Sequence, residues 1–147
     1  MTASMPLTRR DQRIRRRARA RALQALYVWD VAPSDDLSVV AERLWADLAV
    51  GPEERELAAP VLRSVASRQR EIDALLADVT TNWRLERLGA VERAVLRLGV
   101  AELLLGSAPP RVVIQEAVRL GERFGSEDSA RFVNGVLDAV ARQLGRI

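Results

Sequence analysis

The stretch "AVERAVLRLGVAELLL", residues 90–105, decides the fold. Wound at about 100° per residue, it places Val91, Val95, Leu96, Leu98, Val100, Leu103 and Leu104 on nearly every side. A helix that is apolar almost all round has to be enclosed by other elements. The expectation is a central, buried helix in an all-α protein.

Reading outward supports this. Downstream, "GSAPP" at 106–110 stops the helix. Residues 111–124 give another, with Ile114, Ala117, Val118, Gly121 and Phe124 on one seam. Ser126 then caps a last helix, and Glu127 and Asp128 suit its N-terminal dipole. Upstream, "TTNWRLERLG" at 80–89 reads as a connector, with a boundary between two subdomains near residue 81. A long segment at 53–79 contains Pro60, so a kink or a break is expected there. Gly51 and Pro52 separate it from a helix over 38–49 with Val40, Leu44, Trp45 and Leu48 inward. A first helix runs from Arg9 to Trp29, with Thr8 and Asp11 forming its N-cap. No alternating β-branched run signals a strand. The reading is a single domain of about seven helices: a flexible basic arm (1–14), an N-terminal helical subdomain (15–80) and a C-terminal one (81–147).

Composition narrows the function. The 147 residues are 48% hydrophobic, which is enough for a packed core. No apolar run approaches the ~20 residues that span a bilayer. Cysteine and histidine are absent and all 23 basic residues are arginine. That removes His-containing triads, Cys/His zinc sites, thiol chemistry and lysine Schiff bases. No phosphate-binding glycine loop is present. The expectation is a cytoplasmic non-enzyme without cofactor or metal.

The charge is uneven. Residues 1–29 hold eight arginines against one acid, Asp11, a net of +7. The remainder holds 15 basic and 19 acidic residues, a net of −4. A basic segment on a mildly acidic body points to a polyanion partner, above all a nucleic acid. On the helix plot Ala18, Ala22, Ala25, Leu26 and Trp29 share one face, with Ile14 at its edge. Arg13, Arg16, Arg17, Ala20, Gln24 and Tyr27 occupy the other. Arginine forks bind phosphates, tyrosine stacks on unpaired bases and glutamine reads base edges. Self-repulsion at this charge density favours partial disorder of the arm until it binds. The competing reading is a solvated helix face.

In "SARFVNGVLDAVARQL", 129–144, an Asn-Gly pair sits within helical periodicity. Ala130, Val133, Leu137, Val140 and Leu144 form the seam, and Gly135 falls opposite, near Asp128, Arg131, Phe132 and Ala139. Either Phe132 fills core while Gly135 permits a close helix crossing, or Phe132 projects outward beside Arg131 over the space at Gly135.

Three blocks carry a family resemblance: "RRRARARALQALYVWD" (15–30), "NWRLERLGAVERAVLRLGVAELL" (82–104) and "PRVVIQEAVRLGERFGSEDSARFVNGVLDAVA" (110–141). In order and spacing they resemble the bacterial transcription antitermination factor NusB family. Residues 31–80 match only in helical character and length. The resemblance implies two packed helical subdomains and no catalysis. It also implies binding to the boxA element of rRNA transcripts together with the ribosomal protein NusE, within the RNA polymerase antitermination complex that also assists rRNA maturation. By position, the RNA motif falls on Arg15, Arg16, Arg17 and Arg19, the adjoining RNA-facing residues on Gln24 and Tyr27, and the phenylalanine of "FVNG" on Phe132. Arg13 and Arg131 join this RNA set from the helix plots. Asp128 and Glu92 fall on the RNA or partner surface. Glu102 and Glu116 read as structural acids paired with arginine. Gln115 stands where the family usually has Asn, and arginine replaces its lysines throughout.

Two alternatives remain. One is a homodimer that buries the arginine arm in self-association. The other is an RNA-binding accessory domain of the kind some rRNA cytosine methyltransferases carry, for whose catalytic half 147 residues leave no room.

Overall fold

The computed structural model describes residues 6–33, 35–80 and 88–147. These form seven helices and no strand: α1 (Arg9–Val31), α2 (Leu37–Asp47), α3 (Pro52–Ser67), α4 (Gln69–Val79), α5 (Ala90–Leu105), α6 (Pro110–Phe124) and α7 (Glu127–Gln143). The expected connector lies mostly at 81–87, outside the described residues.

The apolar helix is the centre of the molecule. Every residue from Ala94 to Leu103 is buried, and α1, α3, α4, α6 and α7 all pack on α5. Gly99 lets α7 approach, because a Cβ there would lie 2.6 Å from Leu137 Cδ1. Gly106, at φ 67°, ends α5 in the left-handed conformation that glycine adopts without a Cβ penalty.

Local signals set the other helix starts. Thr8 and Asp11 form a reciprocal capping box, with the Asp11 amide 3.0 Å from Thr8 Oγ1 and the Thr8 amide 3.2 Å from Asp11 Oδ2. Residues 9–14, read both as the start of the first helix and as part of a flexible arm, are the first turns of α1. Ser126 accepts the Ser129 amide at 3.1 Å and starts α7. Pro52 opens α3.

α1 is enclosed by α2, α3 and α5. Ala20, expected on the outer face, is therefore buried with Ala18, Ala22, Leu23, Ala25 and Leu26. One indole and two guanidinium hydrogen bonds lock α1, α2 and α3 together. Trp45 Nε1 donates to the Arg21 carbonyl at 3.2 Å. Arg55 of α3 donates to the Val50 and Trp45 carbonyls at 2.8 and 3.1 Å, placing a cation at the end of α2.

The break in the 53–79 segment falls at Arg68, where φ −117° and ψ 20° leave the helix, and α3 runs on through Pro60. Glu56, Leu57 and Pro60 lie on the exposed side of α3. Water can meet the carbonyl left without its usual amide donor there. Leu48, expected inward, is 42% exposed because α2 ends before it. Gly135 does not mark a close crossing: a Cβ there would meet nothing within 4 Å. The close approach of α6 to α7 is at Gly121, whose Cβ would lie 3.4 Å from Ala130 Cα.

Candidate nucleic-acid interface

Six arginines of α1 radiate from one helix into three clefts. Arg13 and Arg17, both exposed, project with Arg10 over the start of α3, beside Glu53 and Glu54. Arg10 pairs with Glu53 at 2.8 Å in the open. Arg15, half-buried, stands at an apolar crevice between α1, α3 and α5 lined by Leu57, Pro60, Val61 and Leu105. Arg16 and Arg19 face α6 across a third cleft with Arg119 and Arg123.

Two of these arginines are engaged by acids that rise from the core. Arg19 Nε lies 3.0 Å from both carboxylate oxygens of Glu102, and both side chains are nearly buried. Burial pushes the Glu102 carboxyl above the usual carboxylate range, and Arg19 pulls against that. Arg16 Nε lies 3.2 Å from Glu116 Oε1, but Arg16 itself stays half open to solvent. The expectation that Glu102 and Glu116 are structural acids paired with arginine holds. Arg19, expected to face RNA, spends its Nε in that core pair.

Further along α1, Gln24 is half-buried and accepts from Arg21 Nη1 at 3.2 Å. Tyr27 is 43% exposed. Asp30, whose role composition and spacing do not reveal, accepts from Arg93 at 2.6 Å and from Arg97 at 2.9 Å. Arg97 in turn holds Asp73 of α4 at 3.0 Å. Burial works to raise the Asp30 carboxyl, but the two guanidiniums prevail and hold it below the usual range. The signal for this network is two arginines one turn apart in a largely apolar helix, since buried charges demand partners.

The remaining expected residues gather where α5 and α7 begin. Glu92 accepts a hydrogen bond from the buried Ser129 hydroxyl, which also meets Ser126 Oγ at 3.1 Å. Asp128 and Arg131 pair at 3.1 Å, both well exposed. Phe132 lies between the two readings: half-buried, with part of its ring against the core. The three clefts of the α1 arginines are lined from α3, α5, α6 and the segment just past α5, and not by Glu92, Asp128 or Phe132.

Sequence and fold both match one family. The family model described as "NusB family" matches residues 16–142. A protein of Anaeromyxobacter dehalogenans named transcription antitermination protein NusB is 50% identical over 133 residues, covering 88% of this chain and 92% of that one. A Myxococcus xanthus protein of the same name is 41% identical over 137 residues, covering 90% and 97%. Among solved structures, T. maritima NusB superposes with a TM-score of 0.81 at 35% identity, covering 88% and 91%. A crystal structure of antitermination factors NusB and NusE in complex with dsRNA gives 0.81 at 32% identity, covering 89% and 98%. The chain belongs to the NusB family.

Proposed function

We propose that this protein is an RNA-binding transcription antitermination factor that takes up boxA RNA of rRNA transcripts together with NusE, in the cytoplasm, and delivers both to the RNA polymerase antitermination complex. The observation that carries this reading is the outward guanidinium set of Arg13, Arg16 and Arg17 on α1, on a fold shared with a NusB solved in complex with NusE and dsRNA. Five N–H donors in a planar fork suit phosphate, and a polyanion that docks there displaces counterions. Tyr27 adds a ring at the far end of the same helix, and Arg131 and Phe132 a second contact on α7. The role is binding, with no bond made or broken.

The test is a fluorescence titration of boxA RNA and a scrambled control, with and without NusE. The expected result is tighter binding to boxA than to the control, strengthened by NusE. Arg16→Ala with Arg17→Ala should flatten the dependence of log K on log salt by about 0.7 per lost single-strand phosphate contact. No RNA or NusE binding at moderate salt, with a sedimenting dimer unaffected by RNA, would instead favour the homodimer that buries its arginines.

A further inference from the structure

We infer that the RNA path crosses from α1 onto α6, and that Arg119 and Arg123 are phosphate-binding residues forming its second wall. This rests on the RNA-binding reading above and extends it to a helix outside the arginine motif.

The argument starts from what the α1 arginines have already committed. On the side of α1 that faces α6, Arg19 is held by Glu102 and Arg16 by Glu116. Glu102 of α5 and Glu116 of the α6 wall itself thus compensate the two α1 arginines of this cleft. The opposite wall differs. Arg119 and Arg123 are both exposed, and neither makes an ion pair among the described residues. They stand one turn apart on α6, so their side chains share a face. That face also carries Glu116, and it opens on the same cleft of about 400 Å³ as Arg16 and Arg19. α5 packs against both α1 and α6, so the two walls have a fixed support.

Arg123 is held in place without losing its charge. Its guanidinium carbon lies 4.8 Å from the Phe124 ring centroid, so it stacks on an aromatic face while its N–H donors stay available. Arg119 is the freer of the two. Glu122 on the rim is the one opposing exposed carboxylate lining the cleft, so the two free arginines outnumber it. A cleft with cations on one wall and half-open Arg16 on the other suits an anion that runs along it. A strand of RNA already held at Arg13, Arg16 and Arg17 is continuous with it, because Arg16 belongs to both.

The experiment measures boxA RNA affinity across a salt series for the wild-type chain, for Arg119→Ala/Arg123→Ala, for Arg119→Lys/Arg123→Lys, and for Arg63→Ala/Arg70→Ala as a control. Arg63 and Arg70 are exposed on α3 and α4 and change net charge equally without touching the cleft. The expected result is a slope flattened by about 1.4 in the first variant, two single-strand contacts at about 0.7 each. The lysine variant should keep the wild-type slope and the control should stay close to it. Equal thermal midpoints across the set show that folding is intact. A wild-type slope in the alanine variant, or an equal loss in the control, overturns the inference while leaving RNA binding in place. A wild-type chain that binds no RNA overturns the parent reading and this one with it.

Discussion

Arg19 of α1 lays its Nε between the two carboxylate oxygens of Glu102 on α5, 3.0 Å from each. An arginine that the sequence offers to RNA is thereby a strut between the first helix and the central one. Removing it leaves a buried carboxylate unpaired. Arg19→Ala should cost about 3 kcal/mol at neutral pH. The pH dependence identifies the cause. Glu102 is already raised by burial, and losing Arg19 raises it further. A raised carboxyl contributes stability that is full below its ordinary value of about 4.3 and lost as pH climbs through the raised one. The penalty of Arg19→Ala relative to wild type should therefore shrink as pH falls. Urea melts at neutral and acid pH measure it, and a penalty independent of pH would show that Glu102 is not its source.

Asp30 gives the opposite sign. Its carboxyl is depressed by Arg93 and Arg97 against the effect of burial. Such a group contributes stability present above about 3.9 and lost as pH falls through the lowered value. Asp30→Asn should destabilise by about 3 kcal/mol near neutrality, since Arg97 is then left with one partner, Asp73. The gap between variant and wild type should close in acid. A gap that stays constant down to acid unfolding would contradict this.

Two backbone positions carry the wrong residue for their conformation. Ala49 adopts φ 52° just past α2, where the left-handed conformation favours glycine. Gly135 lies inside α7 with open space where a Cβ would be. Ala49→Gly and Gly135→Ala should each stabilise by about 0.5–1 kcal/mol. Because one site lies just past α2 and the other inside α7, the gains should add within a few tenths of a kcal/mol. Gly99→Ala should do the reverse and cost about 1–3 kcal/mol, since Leu137 must move in a packed core. Thermal melts of the wild type, the three single variants and the Ala49→Gly/Gly135→Ala double variant decide all of these.

What was legible in the sequence was what neighbours along the chain determine. The apolar run at 90–105 gave α5 to the residue, and the Thr8 and Ser126 caps lie within a turn of the amides they satisfy. Exposure along α1 was less legible, because it depends on residues far away in the chain. Arg16 meets an acid 100 positions on and Arg19 one 83 positions on. Both acids could be named as structural from their place on helices near the core, but which arginine each would take could not. Ala20 looks outward on a plot that assumes one buried face, and α1 has more than one. Pro60 carries the local signal for a break, yet the chain breaks at Arg68, whose guanidinium grips Glu71 at 2.8 Å at the start of α4.

Phe132 separates packing from recognition. It is half-buried against the core, so truncation to alanine confounds the two: a fully buried phenylalanine loses about 3–5 kcal/mol, and this one should lose less. Phe132→Leu keeps most of the apolar volume and should cost under about 1.5 kcal/mol. It removes the aromatic face on which a base would stack, worth about 1–3 kcal/mol per base. The expected outcome is a near-normal melt with boxA affinity reduced roughly tenfold. The salt slope should not change, because no phosphate contact is lost. That combination distinguishes a stacking ring from the arginines, whose loss flattens the slope. Undiminished affinity in Phe132→Leu would place the ring in the core alone, and the RNA path would then run over α1 and α6 without it.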